Sequence, residues 1–174
     1  ISDSDSCTVS KLLKAIGDFE RISDHSVNIV ESAEEINQKQ IAFSETARSE
    51  IEVMCSAVSE ILTISYNAFM NNSVETAKTV EPLEQVIDGL KKKLRNNHIA
   101  RLKKGDCSIE AGFVWADLLT NLERVADHCS NVAVCVIDAK ENNMNVHESL
   151  RNIEEVNPEF NRMYKEFKNK YSVV

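Results

Sequence analysis

Apolar residues recur every three to four positions along most of this chain, a spacing that places them on one face of an α-helix. This spacing predicts five helices, A to E. Helix A covers about residues 8–38, and helix B follows a polar break at 37–40 and ends at about 71–73. Helices C, D and E cover about 74–104, 109–140 and 150–171. We expect Phe113 of helix D to face the core, Pro82 to kink helix C, Gly105 to end it and Pro158 to divide helix E. No alternating strand pattern competes. The fold class is therefore predicted as all-α, with antiparallel long-helix bundles.

Composition supports this fold and narrows the class of partner. The 174 residues include only four Gly and two Pro, too few for a turn-rich β architecture. The formal net charge of −8 would repel a nucleic acid or an anionic membrane surface, so nucleic acid is not expected as a partner. The five Cys are scattered and form no Cys-x-x-Cys pair, which indicates reduced thiols in a cytoplasmic protein.

The termini and apolar runs bear on where the chain resides. Its longest apolar runs fall well short of the ~20 residues that a membrane-spanning helix needs. The sequence begins with Ile1 rather than Met, which indicates a fragment or a processed product. We therefore expect a cytoplasmic domain without a membrane span of its own.

One internal repeat stands out when the sequence is compared with itself. Residues 20–28, ERISDHSVN, match residues 123–131, ERVADHCSN, with five of nine positions identical at an offset of 103 residues. Apolar positions outside the match keep the same register. Because 103 residues is about three helices with their loops, the repeat indicates duplication of a three-helix unit.

In each copy of the repeat, a Glu and an Asp lie four residues apart and therefore stack on one helix face. These pairs are Glu20 with Asp24 and Glu123 with Asp127. Such like-charged pairs cost about 0.2–0.5 kcal/mol unless a cation neutralises them. Ile16 and Val27 flank the first pair, which places its carboxylates at the edge of a packing stripe. Carboxylate oxygens favour iron(III), manganese, magnesium or calcium over copper or a structural zinc, although each pair could instead be a solvated acidic face.

The polar residues that follow each pair are expected to have other roles. His25 and His128 point about 100° away from the acids and are interpreted as surface or groove residues rather than ligands. Asn28 and Asn131 continue the acidic face and could hydrogen-bond to the site, although exposed amides are the simpler interpretation.

The two signatures, Glu-Arg-Ile-x-Asp from Glu20 and Glu-Arg-Val-Ala-Asp from Glu123, resemble those of PhoU proteins over about residues 8–136. Those proteins are bacterial regulators of phosphate uptake, built from two three-helix bundles whose signature acids bind clusters of iron or other metals. The same module is found as the cytosolic C-terminal part of sodium/phosphate cotransporter family proteins, whose tails the segment 160–171 resembles.

The resemblance implies a PhoU-like domain over residues 1–174, with a partial first unit at 8–72 and a second unit at 73–174. The first helix of the first unit is then expected to lie upstream of this sequence. Glu84 and Asp88 of helix C resemble further acidic positions of the family and are expected to complete the site of Glu123 and Asp127. The implied cofactors are carboxylate-bound metal ions: iron, manganese, magnesium, calcium or zinc.

The function that this resemblance implies is a metal-binding regulatory domain, not an enzyme. Its expected partner is a membrane phosphate transporter, in cis or in trans, at the cytosolic face of the membrane. The alternatives are a metal-free helical interaction module and a carboxylate-bridged di-metal enzyme. The enzyme is disfavoured because Ser23 and Ala126 stand where a Glu-x-x-His site needs His.

Because the first helix of the first unit is expected upstream of this sequence, apolar surface should remain uncovered around Leu13, Ile16, Ile61 and Phe69. We therefore expect two chains to pair as a homodimer through this surface.

Overall fold

The computed structural model describes residues 3–141 and 157–173, and these residues form helices without any strand. The helices are α1 (Asp3–Gln38), α2 (Glu45–Met70), α3 (Val74–Ala77), α4 (Val80–Lys104), α5 (Ile109–Glu141) and α6 (Pro158–Lys170). The predicted all-α class is confirmed. The part of predicted helix E before residue 157 lies outside the described residues.

The local sequence sets several helix boundaries. Ser44 caps α2 by accepting a hydrogen bond from the backbone N–H of Ala47. Gly105 ends α4 in the left-handed conformation at φ 78°, as the sequence predicts. Asn157 caps α6, and Pro158 is the first residue of this helix, a position that needs no backbone donor. The prediction that Pro158 divides helix E depends on residues outside the described ranges.

The prediction of one kinked helix over residues 74–104 was wrong. The segment is divided into α3 and α4, and the break falls at Lys78 and Thr79, before Pro82. Ser73 caps α3, and the Thr79 hydroxyl donates to the carbonyl of Thr76, which favours ending the single turn. Pro82 lies in the first turn of α4, where its missing N–H costs no helical hydrogen bond.

Helix α5 lies at the centre of the fold and contacts α1, α2, α3 and α4. The core between α2, α4 and α5 contains large side chains that are fully buried: Met54, Ile61, Leu83, Ile87, Leu94, Trp115 and Leu119. Helix α6 packs against α4. This core is continuous across residue 72, the predicted boundary between the two units.

Two predictions about individual apolar residues were wrong. Phe113 is exposed, because Val114 and Trp115 already define the buried face of α5 and Phe113 points away from it. Ile61, expected at an uncovered surface, is fully buried in the core. Phe69 is partly buried and meets Phe19 edge to face, with ring centroids 5.2 Å apart.

The outer face of α1 carries several exposed apolar side chains. Leu13 and Ile16 are 67% and 62% exposed, as predicted, and Val27 and Val30 are also exposed. The expectation that Ile16 and Val27 form a packing stripe beside Glu20 and Asp24 was therefore wrong. The α1 face that does pack carries Ala15, Ile22 and Ile29.

Among the described helices, α2 is the one that is long and apolar enough to cross a membrane by length and composition alone. The core helix of a globular protein passes the same test. Met54, Ala57 and Ile61 of α2 are fully buried, which is the pattern of a core helix.

Candidate functional site

Four carboxylates from two packed helices form the candidate site, called here the carboxylate cluster: Glu84 and Asp88 of α4, and Glu123 and Asp127 of α5. The four-residue spacing within each helix stacks the two acids of each pair on one face. Packing of α4 against α5 brings the pairs together, and Glu84 shares a hydrogen bond with Asp127.

Cationic side chains neutralise part of this cluster. Lys91 Nζ lies 2.8 Å from Glu123 Oε2, and this ion pair connects α4 to α5. Lys92 pairs with Asp88 at 2.6 Å within α4, while Arg124 Nη1 lies 3.3 Å from Asp127 Oδ2 within α5. Glu123 Oε2 is buried and accepts no hydrogen bond in good geometry, so its contact with Lys91 is mainly electrostatic.

A proton neutralises another part of the cluster. Burial raises the pKa of Glu84 to about 8, with further contributions from the charges of Glu81, Asp127 and Asp88 and from the hydrogen bond to Asp127. Burial also raises the pKa of Asp127, and so does Glu123, while Arg124, the Glu84 hydrogen bond and Lys91 oppose this rise. The protonated Glu84 carboxyl therefore donates to the Asp127 carboxylate.

The donor chemistry of the cluster fits a hard cation. In the present arrangement, however, a proton on Glu84 and the ammonium of Lys91 neutralise its acids. Within residues 3–141 and 157–173, no three His, Cys, Asp or Glu side chains are already disposed around one metal position. The four carboxylates have the oxygen donors that magnesium, manganese or iron(III) prefer. Bringing them onto one ion would require the Glu84 proton and the Lys91 ammonium to leave.

The first signature pair has a different environment. Glu20, Arg21 and Asp24 are all exposed on α1. The structure thus brings together Glu84, Asp88, Glu123 and Asp127, and leaves Glu20 and Asp24 apart from them.

The two copies of the repeat face each other across the contact between α1 and α5. His25 Nδ1 lies 2.9 Å from Asn121 Oδ1, and His128 Nδ1 lies 2.9 Å from Asp18 Oδ1. Asn28 donates to Asn121 and Asn131 donates to Asp18, at 3.1 Å and 3.2 Å. The repeat offset of 103 residues converts the contacts of His25 and Asn28 with Asn121 into those of His128 and Asn131 with Asp18. Helices α1 and α5 are therefore antiparallel and related by an approximate twofold axis.

The axis passes between His25 and His128, whose rings stack with centroids 5.7 Å apart. Both histidines were predicted to lie in a groove or at the surface, and their partners were not predicted. Asp18 and Asn121 occupy equivalent positions seven residues before the histidines. This shared position is the sequence feature from which the partners of the histidines could have been predicted.

Comparison with known proteins agrees with these observations. A family model for the PhoU domain matches residues 51–136. The chain is 32% identical over 143 residues to the phosphate-specific transport system accessory protein PhoU homolog 1 of Thermotoga maritima. That match covers 82% of this chain, and the chain spans 60% of the length of this curated relative.

Among solved structures, the crystal structure of PhoU from Pseudomonas aeruginosa has the same fold, with a TM-score of 0.74 over 82% of this chain and 68% of that one. Its sequence identity is 22%, so this likeness concerns the fold alone. The duplicated signature, the helical bundle and the family match over residues 51–136 together identify a PhoU domain in this chain.

Proposed function

We propose that this domain regulates phosphate transport and binds a hard metal cation at the carboxylate cluster. The observation that carries the metal site is the cluster itself, because four carboxylates on two packed helices offer the oxygen donors of a hard cation in one place. Buried or half-buried carboxylates in such proximity are costly unless cations compensate them. The link to phosphate transport rests on the Thermotoga maritima relative, which is named as an accessory protein of a phosphate transport system.

Glu84, Asp88, Glu123 and Asp127 would hold the cation, with iron, manganese, magnesium, calcium and zinc as the candidate ions. A bound ion supplies positive charge that neutralises the acids and connects α4 to α5. The chain's own residues position this charge, because Glu84 and Asp88 lie on α4 while Glu123 and Asp127 lie on α5. Glu20 and Asp24 form a weaker candidate site, since both are exposed on α1.

The proposed role is regulatory rather than catalytic. The partner is a membrane phosphate transporter, in cis as the tail of a sodium/phosphate cotransporter or in trans as a separate protein, and the domain acts at the cytoplasmic face of the membrane. A di-metal enzyme is disfavoured because Ser23 and Ala126 replace the His of a Glu-x-x-His site.

Binding of Mn²⁺ to three proteins tests the metal site: the wild type, Asp127→Asn and Asp24→Asn. Equilibrium dialysis should show an affinity at least about tenfold weaker for Asp127→Asn, because a ligand of the cluster loses its charge, and a nearly unchanged affinity for Asp24→Asn. Equal losses in the two variants would contradict the assignment. Uptake of radiolabelled phosphate by cells expressing wild type or Asp127→Asn tests the regulatory role, and equal uptake would contradict it.

A metal-free helical interaction module is the second candidate, and the exposed outer face of α1 favours it. This face exposes four apolar side chains: Leu13, Ile16, Val27 and Val30. Large apolar patches on a protein surface usually mark contacts with another molecule. Elemental analysis of protein purified without a chelator separates the two functions, because only the metal-binding domain would retain stoichiometric metal.

A further inference from the structure

Lys91 differs from the other cations around the carboxylate cluster in the way it reaches its partner. Its ammonium extends from α4 to Glu123 of α5, and the two side chains are only 26% and 14% exposed. The neighbouring Lys92 is 73% exposed and pairs with Asp88 one turn earlier on the same helix, an ordinary surface ion pair. Lys91 is thus the partly buried cation that spans the two helices of the cluster.

The contact of Lys91 with Glu123 is close but incomplete. The two charged atoms lie 2.8 Å apart, yet Glu123 Oε2 is buried and accepts no hydrogen bond in good geometry. A buried carboxylate is stabilised well only when its lone pairs are satisfied as well as its charge. The ammonium therefore neutralises the charge of Glu123 but leaves its Oε2 without a hydrogen bond, and a metal ion in the place of the ammonium would coordinate this oxygen directly.

We propose that Lys91 is the resident cation of the carboxylate cluster and that a divalent cation must displace it from Glu123 in order to bind. This inference rests on the proposed metal site. A metal–oxygen bond is about 2.0–2.6 Å long, so a metal ion and the ammonium cannot occupy the same position beside Glu123 Oε2. Lys91 neutralises Glu123 when no metal is bound, so its displacement weakens the affinity of the cluster for a metal ion.

Metal affinity gives the first test, with Mn²⁺ as the probe and the full chain as the protein. Lys91→Met removes the ammonium and keeps an apolar stem of similar length, and Lys103→Met makes the same charge change at an exposed position in the last turn of α4. We expect Lys91→Met to bind Mn²⁺ about tenfold more tightly than the wild type and Lys103→Met to bind it within about twofold. Equal affinities of the two variants would overturn the role of Lys91.

Chemical labelling of the wild type gives a second test that does not depend on the folding of a variant. Acetic anhydride at limiting dose modifies lysines in proportion to their freedom, and mass spectrometry reads each site. Adding Mn²⁺ should raise the modification of Lys91 severalfold relative to Lys103 in the same molecule. If Mn²⁺ binds and the modification of Lys91 does not change, the displacement of Lys91 is refuted and the metal site stands. If neither the wild type nor the two variants bind Mn²⁺, the metal site itself is refuted.

Discussion

Glu84 is a carboxylic acid whose protonated form the fold favours. Its pKa rises from the ordinary 4.5 to about 8, mainly through burial. Between these values the folded protein holds a proton that the unfolded chain releases, so this group stabilises the fold fully below about pH 4.5 and loses that contribution as the pH rises towards 8.

We therefore expect Glu84→Gln, which keeps a neutral side chain at every pH, to lose this pH dependence. Urea unfolding in the presence of a chelator at pH 5 and pH 8 measures the change. The wild type should lose more stability between the two values than Glu84→Gln, while Glu166→Gln, altered at an exposed site on α6, should follow the wild type. The same pH dependence in all three proteins would contradict the raised pKa.

The sequence reveals some charged residues of the site and conceals others. The i,i+4 spacing puts Glu84 with Asp88 and Glu123 with Asp127 on one helix face each, and the resemblance to the PhoU family was needed to assign the two pairs to one site. Lys91 escapes that analysis, since its contact with Glu123 depends on how α4 crosses α5. The buried ion pair of Glu50 with Arg101, 2.9 Å apart, is missed for the same reason: its residues lie on different helices and no repeat connects them.

At the scale of the helices, the polar contacts between α1 and α5 centre on a few residues. Asp18 Oδ1 lies within hydrogen-bonding distance of His128 and Asn131, so removing its carboxylate would leave two partly buried polar groups without this acceptor. Losses of this kind cost about 1–2 kcal/mol in total. Urea unfolding should show Asp18→Ala destabilised by that amount, and Asp24→Ala, an exposed Asp on the same helix, changed by less than about 0.5 kcal/mol. Equal stability of the two variants would show that these contacts contribute nothing measurable.

The helices themselves were the most predictable part of the fold. The apolar periodicity predicted α1, α2 and α5 closely, because their stripes continue for many turns. The division between α3 and α4 was not predictable from periodicity, since Ser73 and Thr79 end one turn through local hydrogen bonds. The choice of the buried face of α1 also escaped prediction, because apolar residues occur on both faces and only the contact with α5 selects one.

At the scale of the whole molecule, the outer face of α1 provides a reason for two chains to associate. Each large apolar side chain that becomes buried contributes about 1.5–3 kcal/mol, and Leu13 and Ile16 are both exposed there. We expect light scattering to show a mass that rises from 19.6 kDa towards that of a dimer as concentration increases. The double variant Leu13→Ser and Ile16→Ser should remain monomeric, and a wild type that stays monomeric at every concentration would contradict pairing through this face.

The proposed binding of a hard cation between α4 and α5 can be observed in a crystal. A crystal grown with Mn²⁺ and measured at the manganese absorption edge locates the ion directly by its anomalous scattering. We expect a peak bounded by Glu84, Asp88, Glu123 and Asp127, with the Lys91 ammonium moved away from Glu123. A fully occupied ion elsewhere on the chain, with Lys91 still 2.8 Å from Glu123, would contradict it.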